Sequence, residues 1–122
     1  MNTLRLSAPL ELATSYRAPQ AARDEAIRGL AWREEYNRGG TAVGVARARD
    51  LANNRPLSET TLRRMVSFFA RHAVDRKAPG WRPGEAGYPS AGRIAHALWG
   101  GDSARDWANR LVQKLDREEA TA

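Results

Sequence analysis

Four groups of residues have types and spacings that could do chemistry. Asp75-Arg76-Lys77 has the D-x-K spacing of metal-dependent nucleases. Such a site needs the pair on a strand with a further carboxylate, so that a divalent ion and a lysine meet the scissile phosphate. Here the triplet ends a helical pattern and enters a Pro/Gly loop, so Asp75 is expected to pair with a nearby arginine. A small metal-dependent nuclease is therefore the minor reading. His72 and His96 are the only histidines. A zinc or general-base site would need two or three partners at matching spacing, and both histidines read as structural. Gly39-Gly40-Thr41 opens a helix, and helix N-termini bind anions, but without a phosphate-binding lysine capping explains it better. The chain has no G-x-x-x-x-G-K-[ST] loop, no G-x-S-x-G elbow and no cysteine, which removes thiol catalysis, disulfides and cysteine zinc sites. No catalytic residue, metal or cofactor is assigned.

The fourth group is cationic. Of the 20 basic residues, ten lie in residues 38–82 against three acidic ones, a local charge of +7 in a chain of net +6. Residues 1–37 are neutral and residues 83–122 carry −1. Arginine-rich composition can reflect codon usage, but codon usage does not place the charge. A localised positive face is the footprint of a polyanionic partner. The candidate nucleic-acid-binding residues are Arg47, Arg49, Thr60, Arg63, Arg64, Ser67, Arg71, Lys77 and Arg82. Arginine suits the task because its fork bonds guanine edges or phosphate oxygens bidentately. Trp81 and Tyr88 are candidate loop contacts. Both are natural anchors for the loop. The four tryptophans could be stacking platforms for single strands but are more often core and loop anchors, and Trp81, beside Arg82, is the one to test as exposed.

The elements that must position these residues read as helices. A segment over Gln20–Asn37 has an apolar stripe of Ala22, Ala26, Ile27, Leu30 and Ala31, with Asp24 and Glu25 in its first turn. Thr41 caps a second helix over Ala42–Ala52, whose small residues imply close packing. Ser58 caps a third over Glu59–Ala73, with Leu62, Met65, Val66, Phe69 and Ala73 inward and Phe68 beside the stripe, partly exposed. Residues 75–90 form a long loop with three prolines and three glycines, which suggests function or packing through its own side chains. Ser90 caps a fourth helix over Ala91–Trp99. Asp102 or Ser103 caps a fifth, to about Glu118, with Ala104, Trp107, Ala108, Leu111, Val112 and Leu115 inward. Residues 3–12 alternate apolar and polar types and fit two short strands, an extended arm or a disordered tail.

The expected fold is all-α: a compact bundle of about five short helices over residues 19–122, preceded by an extended or flexible arm over 1–18. At 122 residues this is one domain, burying roughly two-thirds of its unfolded surface. No apolar run approaches the ~20 residues of a membrane span, and the N-terminus makes a poor secretory signal.

The stretches GGTAVGVARARDLAN, MVSFFARHAVDRK, GWRPGEAGYPSAGRIAHALWGGD and DWANRLV occur in an order that resembles a small domain encoded by tailed bacteriophages and prophages. That domain is found alone or near prohead-protease and head-morphogenesis proteins. The resemblance spans about residues 26–114 and implies a viral origin, with a location in the infected bacterial cytoplasm or the virion. The domain has no settled activity, so no catalytic residue is carried over. Its pattern has an acidic residue where this chain has Ala73 and an aromatic where it has His96.

The leading functional expectation is a nucleic-acid-binding phage protein, with DNA a better candidate than RNA. Residues 44–71 would form a helix-turn-helix-like unit, although the connection Asn53–Ser58 exceeds the usual turn. The alternative is a protein-interaction module, in head assembly or against a host protein, that meets an acidic surface.

Overall fold

The structure is a computed structural model and describes residues 15–121. The alternation at residues 3–12 lies outside them. The fold is all-α; the described residues form five α-helices, one 3-10 turn and a two-stranded antiparallel ladder. The helices are α1 (Gln20–Tyr36), α2 (Ala42–Ala52), α3 (Glu59–Arg71), α4 (Ala91–Leu98) and α5 (Gly101–Thr121). Strand β1 (Ser15–Tyr16) pairs with β2 (Leu57–Ser58) in the register Ser15 to Ser58 and Tyr16 to Leu57. Tyr16 and Ala18 also pack against the core. No helix among the described residues is long and apolar enough to cross a membrane.

Side chains with local hydrogen-bonding power set the helix starts. Thr41 Oγ1 accepts the Gly44 N–H at 3.4 Å, Ser58 Oγ that of Thr61 at 3.2 Å and Ser90 Oγ that of Arg93 at 3.0 Å. Each cap satisfies a donor that the first turn leaves without a partner. The fifth start differs from expectation. α5 begins at Gly101, so Asp102 and Ser103 are first-turn residues rather than caps. The bend into it is made by Gly100 and Gly101 at φ of 101° and 68°, a region side chains rarely enter.

α4 is the central element, buried at every residue from Ile94 to Leu98. α1 crosses it through Ala22, Ala26 and Gly29. A Cβ on Gly29 would lie 2.6 Å from the Leu98 nitrogen, so the two backbones meet directly. That approach rotates α1 away from its expected stripe: Ile27 is 51% exposed and Ala31 is exposed. Helix α1 also starts early enough that Asp24 and Glu25 fall outside its first turn. Glu25 instead pairs with Arg93 of α4 at 2.6 Å.

α3 buries Leu62, Met65, Phe68 and Phe69, and packs chiefly on α5. Phe68 is buried, against expectation, because its ring lies flat on Trp99. Ala73 is exposed and opens the 3-10 turn Ala73–Lys77 instead of extending the helix. Leu51, Leu62, Met65, Ile94 and Leu98 are fully buried, and each such side chain contributes about 1.5–3 kcal/mol through burial.

The loop after the 3-10 turn is packed by its own residues. The Ser90 N–H donates to the Gly80 carbonyl at 2.8 Å, and Arg38 Nη2 donates to the carbonyls of Gly87 and Pro89. Trp81 is only 8% exposed, so it is an anchor of the loop and not a free platform. Tyr88 meets the edge of Trp32 at 5.7 Å. Both aromatics anchor the loop to the helices.

Candidate functional site

Thr60, Arg63, Arg64, Ser67 and Arg71 recur at helical spacing and line one wall of a groove of about 900 Å³. Gly40, Thr41 and Val43 at the start of α2, with Ala91 and Gly92 at the start of α4, supply the rest of the rim. The floor is apolar, made by Phe68, Ala95 and Trp99. His72 and Asp75 close one end.

The arginines of this wall differ in their engagement. Arg63 bonds Asp116 of α5 at 2.8 Å and Glu59 at 2.9 Å. Those hydrogen bonds, Asp116 first, raise its pKa and commit it to the fold. Arg64 and Arg71 are exposed and have no carboxylate partner among the described residues. Arg47 lies near Arg64, pairs with Asp50 at 3.1 Å and sits 5.6 Å from the Trp99 ring centre. Burial is the main cause lowering its pKa, with Asp50 opposing and Arg64 adding to the effect.

The remaining predicted residues are elsewhere. At 100° per residue, Arg49 projects from the flank of α2 away from Arg47 and Val43. Lys77 and Arg82 are exposed on the 3-10 turn and loop and do not line the groove. The helix-turn-helix outline is also corrected. α2 packs on α1 and α4, α3 packs on α5, and the two make little direct contact. The connection between them holds β2, which pairs with β1 and leads α3 away from α2.

Sequence reasoning missed the aromatic part of the groove. Trp99 and Phe68 are parallel to within 9° at 4.5 Å, and Phe68 and His72 to within 26° at 4.5 Å. Three rings thus form a column from the core to the surface. His72 is 45% exposed in its side chain, with Nδ1 3.2 Å from Asp75 Oδ2. The Phe68–His72 step is an i, i+4 pair and could have been found from spacing. The partner role of Trp99 has no local signal.

A second cluster lies beside a cavity of about 290 Å³ between the starts of α1 and α5. His96 Nε2 is 2.8 Å from Asp102 Oδ1, and Arg76 also pairs with Asp102. Burial pushes the His96 pKa down to about 4 despite the carboxylate, so the neutral ring donates its Nε2–H. Partial burial works against the charge of Asp102, but His96 and Arg76 outweigh it and lower its pKa. The Arg93 guanidinium lies 5.0 Å from the Trp32 ring centre and 5.5 Å from that of Trp81. Its Nη1 is buried without a hydrogen-bond partner among the described residues, and the ring faces attract the guanidinium charge. These contacts join α1, α4, α5 and the loop.

The D-x-K triplet is dispersed among separate partners. Asp75 bonds His72 rather than an arginine, Arg76 bonds Asp102, and Lys77 is exposed. Among the described residues no three His, Cys, Asp or Glu side chains are grouped to hold a metal ion.

No family model matches the chain, and neither a curated protein nor a solved structure gives a significant match.

Proposed function

We propose that this chain is a nucleic-acid-binding protein that engages its partner along the exposed face of α3. The observation that supports this is the contrast among its arginines. Arg28, Arg47, Arg55, Arg63, Arg76, Arg93 and Arg105 all have carboxylate partners. Among the described residues Arg64 and Arg71 have none, and neither do Arg49, Arg82, Arg110 and Arg117, but of these only Arg64 and Arg71 line the groove; they stand about 10 Å apart along one helix. An unpaired guanidinium keeps its full donor fork for phosphate oxygens or base edges. Thr60 and Ser67 add hydroxyl groups to the same wall. We propose DNA ahead of RNA and, from the resemblance of residues 26–114, a setting in phage infection, in the bacterial cytoplasm or the virion. α3 acts in this reading as the wall of a groove.

Mobility shifts with labelled DNA and RNA at rising salt test the reading. Binding should weaken steeply with salt through counterion release. Arg64→Glu should reduce affinity about tenfold or more, while Arg110→Glu on α5 should change it little. Absence of binding to any nucleic acid at low salt overturns the proposal.

A second reading is an interaction module that meets an acidic protein surface. Val43, on the rim and 57% exposed, favours it, since an exposed apolar side chain suits a protein partner. Co-purification of one acidic protein in stoichiometric amount, with no nucleic acid in the complex, would select this reading.

A further inference from the structure

Resting on the nucleic-acid reading, we infer that the groove takes a single strand, with one unpaired base stacked on His72 and neighbouring phosphates on Arg64 and Arg71. The argument starts from the aromatic column. One face of the His72 ring is covered by Phe68, so the 45% exposure of that side chain lies on its edge and opposite face. The Asp75 carboxylate holds Nδ1 at 3.2 Å and fixes the ring's plane. The column is therefore closed toward the core and open toward the groove. Any flat π-face can extend it, and a base is such a face.

The charges fit the same occupant. Arg64 and Arg71 border the groove without carboxylate partners, which suits a phosphate chain running along α3. Asp75 at the His72 end is an acceptor and suits an N–H donor of a base, such as thymine N3–H, not a phosphate. A duplex keeps its bases stacked on each other and would leave the open face of His72 uncovered. An unpaired base brings its flat surface to that face while its backbone remains on the arginines.

Anisotropy titrations of the full chain at one salt concentration test this. The probes are a labelled 12-nucleotide thymidine strand, a 12-base-pair duplex, and a 12-unit abasic strand with the same phosphates. The thymidine strand should bind about tenfold or more tighter than either competitor, the scale of one stacked base. His72→Ala, checked for folding by circular dichroism, should lose that preference, and His72→Phe should keep it. Equal binding of thymidine and abasic strands, or tighter duplex binding, overturns the base site while leaving nucleic-acid binding intact. Failure of all three probes at low salt overturns the parent reading as well. Displacement of the strand by an amphipathic peptide of Glu, Leu and Trp, binding more tightly than any oligonucleotide, assigns the groove to a protein segment and also overturns the proposal.

Discussion

Phe68 of α3 and Trp99 at the end of α4 lie ring on ring, with centroids 4.5 Å apart and planes 9° from parallel. Both are nearly inaccessible to solvent, at 6% and 7% exposure. Their contact joins α3 to the α1, α2 and α4 group and forms the bottom of the groove. Phe68→Ala should remove about 3–5 kcal/mol of stability through lost burial and the resulting cavity. Phe68→Leu should cost less. Urea unfolding of the three proteins measures the difference.

Gly29 gives an expectation of unusual sign. At an exposed helical position, glycine to alanine stabilises by roughly 1 kcal/mol. Here the new methyl would meet the Leu98 nitrogen at 2.6 Å and the Ala97 carbonyl carbon at 2.8 Å, and neither is a flexible side-chain end. Gly29→Ala should therefore destabilise by about 1–3 kcal/mol, the range for overpacking. A lower urea midpoint at unchanged slope would show it.

Stability should fall with acid through His96. Its pKa is about 4 in the fold and near 6.5 in the unfolded chain. Between those values the unfolded state binds more protons, so stability rises with pH across this window and is lost as pH falls through it. The loss from pH 7 to pH 5 should be roughly 2 kcal/mol. His96→Gln should flatten that slope in paired unfolding experiments.

Glu25 holds Arg93 at 2.6 Å, with side chains 17% and 15% exposed. Glu25→Ala would leave the guanidinium between Trp32 and Trp81 without its carboxylate. The expected cost is about 2 kcal/mol, below the value for a fully buried broken pair because some solvent reaches both groups. Thermal unfolding of the variant checks this.

The sequence was most informative where a residue acts on its immediate neighbours. Thr41, Ser58 and Ser90 each cap the expected helix because the cap is a contact within three residues. The bounds of α2 follow from the same local chemistry. Leu62, Met65 and Phe69 are core because helical periodicity carries that information. Gly29 carries no local signal of its contact, and the burial of Phe68 and Trp81 comes from elements distant in sequence. Nothing local to Gly29 announces the α4 backbone, and nothing local to Phe68 announces Trp99. The groove shows the same division. Its arginine wall is one helical face and could be read, whereas its aromatic floor joins α3 to α4.

Viewed as a record of what drift can reach, the dipeptide at the bend between α4 and α5 is among the least replaceable of the described residues. A surface arginine–carboxylate pair contributes about 0–1 kcal/mol, so such pairs can be lost and regained by small steps. A side chain at Gly100 would need a backbone at φ of 101° and would occupy the space of the Ala104 methyl. One at Gly101 would displace Glu25, the partner of Arg93. Distant relatives of this chain are expected to keep the bend after the charges on α3 have turned over, so divergence would rewrite the charge of the groove before it altered the helices that form it.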